Sequence, residues 1–395
     1  MKILAFAYAC EPQKGSEPGA GWAWARLLAR LGETWIITRE NNREGIETEL
    51  SSTPEAQSLH FVYVDLSGRA RSWKRGQRGV RLYYILWQRV ALSRARELHV
   101  QEQFDLVWHL TLANAWMGSL AGRVGPPFVY GPVGGGTRPP WRLASALGIR
   151  GTVYEVLRAA AQLAGRYLNP MARSAWRAAR IILVQNPETR DWLPSQHRSK
   201  AYVLPNALLT AEPISHQRPR SDRPPTALFA GRLLPLKGVA IAIRAIAATD
   251  HWRLVVMGDG SDAPRLRRLA RKLHVQDRVD FKGWVSRDRV VRAMREGADA
   301  FLFPSLHEEA GLVVVEALGS GLPVVCLDRG GPPLLAGDGG IVLPSTSTLD
   351  VLVSRLAEKL SDGRLPGQEA AYRQVQAFTP SARLSLLRDL LRSIF

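Results

Sequence analysis

Two carboxylates, Glu308 and Glu316, are the side chains of this chain best placed to do chemistry. Seven residues lie between them, Gly311 among these; Glu308 follows an apolar run at 298–304 and Glu316 stands within a helix-like run at 312–318. A strand that ends in Pro304-Ser305 and then opens a helix at a glycine leaves backbone N–H groups pointing at the strand's carboxyl end. Such groups suit a phosphate. An ionised carboxylate accepts two donors at once, so the flanking glutamates suit a ligand rich in hydroxyls. Phosphate and polyol together describe a nucleotide sugar. A plain helix cap by Glu308 and Glu309 would use the helix dipole alone, and would require neither the Pro-Ser strand end nor the second glutamate.

A second cluster precedes this one. In Gly231-Arg232-Leu233-Leu234-Pro235-Leu236-Lys237-Gly238, two cations flank a proline turn after an apolar run, and Gly238 opens the next helix. Arg232 as a planar fork and Lys237 as a point charge can hold a diphosphate. Lysine is scarce here, at 8 against 45 arginines, which lowers the chance that Lys237 is one more surface cation. Gly258 and Gly260 end the next apolar run, where they allow either a tight turn or close approach of a ligand.

The elements that must position these residues form two series. Apolar runs at 3–9, 34–38, 60–64, 106–109, 127–130 and 181–185 read as strands, with helices at 21–31, 82–103, 115–123 and 152–166. After a stretch rich in Pro, Ser, Arg and Thr at 207–225, strands follow at 227–230, 254–257, 279–282, 300–303, 323–327 and 340–343. Helices fit between them at 238–248, 263–273, 287–296 and 312–320, and an amphipathic helix at 381–394 closes the chain. This alternation predicts two open parallel α/β sheets with helices on both faces. Ligands of such sheets sit at the carboxyl ends of the strands, so the expected site is a cleft between two domains. A length of 395 residues suits two domains.

With these motifs in hand, the chain resembles glycosyltransferase family 4, a family of retaining enzymes with the GT-B fold. The resemblance rests on Gly231-Arg232, Lys237-Gly238, the Glu308 and Glu316 pair, and Ala317-Leu318 with Gly321-Leu322-Pro323-Val324, and covers most of 225–345. In the first half, Glu17-Pro18-Gly19-Ala20-Gly21-Trp22 resembles the family's glycine-rich loop after the first strand. Asp105 to His109 resembles its strand ending in a histidine, and the loop 131–136 occurs in a subset of members.

The resemblance implies two doubly wound Rossmann-like domains facing across a cleft: an acceptor-side domain at 1–206, a donor domain at 207–378, and a terminal helix at 379–395 packing back on the first. It implies that Arg232 and Lys237 neutralise the leaving diphosphate, that Glu316 holds the ribose, and that Glu308 and His109 contact the transferred sugar. Gly19, Gly21, Gly258, Gly260, Gly311, Leu312 and Val313 would line the donor. The reaction implied is hexose transfer from a UDP- or GDP-sugar to a glycan or lipid-linked hydroxyl, with no cofactor and no metal. The absence of any Asp-x-Asp agrees with the last point, and the resemblance is to bacterial enzymes of surface-glycan synthesis such as lipopolysaccharide assembly. Two positions depart from the family pattern: Ala310 replaces a usual aromatic, and Pro205-Asn206-Ala207-Leu208 replaces Asn-Gly-Val-Asp.

Rival readings are weaker. A dinucleotide fingerprint at Gly19-Ala20-Gly21 with Glu40 has Trp24 where its third glycine should stand. A nucleotide-sugar epimerase on the same fold is the alternative function, and a non-catalytic binding module is a third. The net charge of +18 divides as +12 for residues 1–205 and +6 for the rest, which suggests an anionic partner. No nucleic-acid signature is present, so nucleic acid is not expected. From Arg69 to Arg81 there are six cations, a tryptophan and no acid. That segment is expected to touch an anionic membrane or lipid-phosphate acceptor. Two separated cysteines with no metal or redox spacing suit a reducing cytoplasm, with the enzyme peripheral on the inner face of the membrane.

Overall fold

The computed structural model describes residues 1–68, 79–209 and 223–394. It divides into two compact units, residues 1–136 with 162–208 and 380–395, and residues 137–161 with 209–379. The segment 137–161 thus groups with the later residues although it lies within the first series of strands. The chain path explains this: 137–161 leaves the first unit after Gly136 and returns to it at Gln162, within Ala144–Leu168, a helical run broken at Gly148 (φ 68°, ψ 173°).

Strands of the first unit are β1 (Lys2–Ala7), β2 (Glu33–Thr38), β3 (Leu59–Tyr63), β4 (Leu106–Thr111), β5 (Phe128–Val133), β6 (Ala179–Val184) and β7 (Ala201–Val203). Among the described residues they form a parallel sheet in the order β3-β2-β1-β4-β5-β6-β7. Alternation in β1 shows why it is central. Leu4, Phe6 and the following Tyr8 enter one core with Trp87 and Tyr130, while Ile3, Ala5 and Ala7 enter the other with Trp22 and Trp108. A strand apolar on both sides needs cover on both sides, which helices supply. Leu387 and Leu391 of the Pro380–Leu391 helix complete the second core.

Strands of the second unit are β8 (Thr226–Ala230), β9 (Arg253–Met257), β10 (Val279–Gly283), β11 (Ala300–Phe303), β12 (Val324–Leu327) and β13 (Gly340–Leu343). They pair in parallel in the order β10-β9-β8-β11-β12-β13. Strand order reverses between β8 and β11, so the carboxyl ends of those two strands mark this unit's switch point.

Local differences from the sequence reading have identifiable causes. The expected helix at 115–123 does not form; only Ala121–Arg123 makes a 3-10 turn. Gly118 takes φ 82°, and a Cβ there would lie 2.5 Å from the Ala172 backbone nitrogen, so the chain turns where a helix would continue. The first helix begins at Ser16 rather than 21, with Glu17 in its first turn. Among the described residues, no helix is long and apolar enough to cross a membrane.

Candidate active site

Lys237 and Glu308 meet because two loops are laced together at the switch point. After β8 the chain makes a 3-10 turn at Pro235–Lys237. The Leu306 N–H donates to the Leu236 carbonyl at 2.8 Å, and the Ser305 hydroxyl donates to the same carbonyl at 3.2 Å. Gly238 makes the approach possible. It sits at φ 70°, and a Cβ on it would lie 1.8 Å from the Pro304 carbonyl oxygen. Only glycine fits both the left-handed backbone and that contact. Lys237 Nζ then donates to Glu308 Oε2 and lies 5.6 Å from the centre of the Phe303 ring. Both side chains of the pair are 17% exposed, which leaves them accessible to a ligand.

The other expected donor residues of this unit surround the same strand ends. Arg232 is exposed at the end of β8. Gly258 and Gly260 follow β9, where they pack on the backbone at Gly231 and Leu233, with Leu233 N–H donating to the Asp259 carbonyl at 2.9 Å. Gly311, at φ 88°, starts the Leu312–Gly319 helix, and no side chain caps it. The first-turn N–H groups, those of Leu312 and Val313, therefore lack an intrahelical acceptor. Leu312, Val313 and Glu316 share the partly exposed side of this helix. Glu316 accepts from Arg287 at 2.8 Å.

Sequence reasoning missed the support behind Glu308. His307 is buried, with its ring nitrogens 3.1 Å from Glu155 and 3.3 Å from Glu309. Arg158 also contacts the imidazole, donates to the Thr137 carbonyl at 2.9 Å and lies 3.7 Å from Glu309. The Thr137 hydroxyl donates to Glu309 at 3.0 Å. Burial works against an imidazolium at His307, but its hydrogen bonds to Glu155 and Glu309 outweigh burial and raise its pKa above the ordinary value. Burial likewise opposes the Glu155 carboxylate, and His307 with Arg158 holds its pKa below the usual range. The readable signal was Glu155 and Arg158, an acid and a base three apart on one helix. Also unanticipated is Trp284, 79% exposed just after β10.

A stability consequence follows, with opposite signs at the two ends of the pH scale. The raised His307 pKa stabilises the fold below its ordinary value of 6.5 and loses that effect as pH rises through the folded value. The lowered Glu155 pKa stabilises above 4.5 and loses its effect as pH falls through the folded value. Denaturation midpoints are therefore expected to decline on the alkaline side of 6.5, and His307→Gln should flatten that decline. An unchanged alkaline slope in the variant would show that His307 is not its source.

In the first unit the expected ligand residues are enclosed by the protein's own groups. His109 is fully buried, with Nε2 2.6 Å from the Tyr84 hydroxyl and Nδ1 2.6 Å from the Ser119 hydroxyl. Burial lowers its pKa to about 4. Both ring nitrogens are occupied within the protein, so a sugar hydroxyl would have to displace one of these partners. Gly19 and Gly21 lie in the Ser16–Ala29 helix and not in a loop. The space beside them is taken by the carbonyls of Lys14 and Ala9. The adjacent Glu17 carboxyl accepts from the Leu112 N–H, and burial raises its pKa. Of the segment from Arg69 to Arg81, residues 69–78 lie outside the described residues.

Comparison with known proteins bears chiefly on the second unit. Residues 211–374 match the family model for Glycosyl transferases group 1. The lipopolysaccharide core biosynthesis glycosyltransferase LpsE of Rhizobium meliloti is 33% identical over 140 residues. That match spans 35% of this chain and only 40% of the relative's length. Among solved structures, the lipopolysaccharide outer core galactosyltransferase WaaB superposes over the whole of both chains with a TM-score of 0.68 and 15% identity. Anabaena HepE, solved with UDP-glucose, also covers both chains fully, at 0.63 and 15%. At that identity the likeness concerns fold, and it matches the two Rossmann-like units described above. The chain thus has the GT-B fold of these structures, and its residues 211–374 are similar to the Glycosyl transferases group 1 family.

Proposed function

We propose that this chain is a retaining glycosyltransferase of family 4. It moves a hexose from a UDP- or GDP-sugar to a hydroxyl of a glycan or lipid-linked acceptor, without a metal. The carrying observation is the pairing of Lys237 with Glu308 at the switch point, beside exposed Arg232 and the uncapped helix at Gly311. As the bond from the sugar's anomeric carbon to the diphosphate breaks, charge develops on the leaving oxygens. Arg232, the free N–H bonds of the Lys237 ammonium and the helix N–H groups answer that charge with donors already in place. Glu308 orients hydroxyls of the transferred sugar, and Glu316 accepts from the ribose. Trp284 supplies an aromatic face for the base.

The solved complex of HepE with UDP-glucose supports a nucleotide-sugar donor, and the name of LpsE supports an acceptor in lipopolysaccharide or a related surface glycan. Nothing in these matches favours the epimerase alternative. The +12 charge of residues 1–205 is the ground for an anionic acceptor or membrane surface, with the enzyme on the cytoplasmic face.

Thermal shifts with UDP, GDP, ADP and CMP, followed by transfer assays with the matching sugar donors, test this reading. One diphosphate should stabilise the protein, and Trp284→Ala should weaken its binding about tenfold, the scale of one base stacked on an aromatic ring. A protein that none of the four nucleotides stabilises, and that releases no nucleotide from any donor, would overturn it.

A further inference from the structure

The helix that backs the active-site loops is turned inside out. A helix on a water-soluble protein buries its apolar stripe and shows water its polar one. Beyond the break at Gly148, the Ala144–Leu168 helix turns Glu155 and Arg158 inward. Glu155 is 1% exposed, Arg158 reaches the Thr137 carbonyl, and Gly151 packs against Pro235 of the Lys237 turn. Apolar residues face outward: Ile149 is 86% exposed and Leu157 66%, and Val153, Tyr154 and Val156 are each more than half exposed. Ile149, Val153 and Leu157 repeat every fourth residue and so stand on one side of the helix. Trp141, just before the helix, is exposed as well. Single exposed apolar residues are ordinary, whereas a contiguous row marks a surface that something covers.

Charge identifies the occupant. Residues 137–161 contain four arginines and one acid, and that acid is the buried Glu155. Arg150 is exposed next to Ile149, and Arg142, exposed in the turn before the helix, donates to the Thr346 carbonyl at 3.0 Å. A second copy of the helix would set arginine against arginine, with no exposed acid in this segment to offset them. An anionic bilayer pairs the arginines with lipid phosphates while the apolar row enters the acyl boundary, and Trp141 and Tyr154 are of the types that favour that interface.

We propose that the outer face of this helix, from Ile149 to Leu157 with Arg150 beside it and Arg142 in the turn before it, seats the protein on an anionic phospholipid bilayer. The proposal rests on the reading above only in taking the acceptor to be at a membrane. It assigns the docking to residues other than those from Arg69 to Arg81. Because the inner face of the same helix holds the loops of Lys237 and Glu308, docking places the membrane one helix thickness from them.

Vesicle flotation of the full chain at low ionic strength tests this. The vesicles are phosphatidylcholine alone, or phosphatidylcholine with about 30% phosphatidylglycerol as the anionic lipid. The wild type should float with the anionic vesicles. The triple variant Ile149→Asn, Val153→Asn, Leu157→Gln should lose that binding about tenfold or more, as expected when three inserted side chains are made polar. These positions are exposed, so the variant should keep its unfolding midpoint and its nucleotide-induced thermal shift. Three results would overturn the inference: no wild-type flotation, equal flotation of the variant, or a wild-type dimer that the variant converts to monomer. Because the nucleotide shift is read on the same samples, a failure to dock is distinguishable from a failure of the glycosyltransferase reading.

Discussion

Lys237→Ala should reduce kcat/KM for sugar transfer by about a hundredfold or more, the scale of removing one preorganised donor from a developing oxyanion. Glu308→Ala should give a loss of similar size. The structure explains why either loss is severe. An ammonium has three donors, so Lys237 can hold Glu308 with one and still offer two to a diphosphate. Glu308 therefore fixes the lysine's position before the substrate arrives, and removing either partner releases the other. Because the residues act as a unit, the double variant should be far less impaired than the product of the single losses predicts. Steady-state kinetics with the donor identified by thermal shift would measure all three, with circular dichroism to verify folding. Transfer at the wild-type rate in either single variant would remove the pair from the site.

Arg158→Ala should be the most destabilising change behind the site, by about 3–5 kcal/mol, the usual cost of breaking a buried ionic cluster by removing one member. Arg158 is 13% exposed on its side chain and lies among Glu155, His307 and Glu309. Without it, two carboxylates face one imidazole, and one Glu155 oxygen already has no hydrogen-bond partner. Denaturant melts of the variant and of Arg158→Lys would separate charge from shape. The lysine restores the cation but cannot bridge the Thr137 carbonyl and the imidazole as a planar fork does. A loss below about 1 kcal/mol in the alanine variant would mean that the cluster behaves as a surface ion pair.

Strand positions were readable because each parallel strand, apolar on both faces, stands out as a continuous run. The donor motif was readable because Glu308, Gly311 and Glu316 are close in sequence and Arg232 with Lys237 flank one turn. What the sequence hid was pairing at a distance. Nothing local to His307 announces Glu155, 152 residues earlier. A helix is expected at 152–166, yet periodicity does not say which of its sides faces the protein. The surroundings of His109 were hidden for a related reason. A histidine at a strand end looks available until Tyr84 and Ser119, brought in by tertiary packing, occupy its two nitrogens. The false helix at 115–123 failed at Gly118, a close backbone approach that composition does not reveal.

The path of the chain through the two units also bears on how the first is completed. The first unit takes its last piece, the helix Pro380–Leu391, after the whole second unit has been synthesised. Leu387 and Leu391 belong to the core against Trp22 and Trp108. The earlier half therefore cannot complete its core until residues beyond the whole of the second unit are available, so the two ends of the chain depend on one another for a single folded unit.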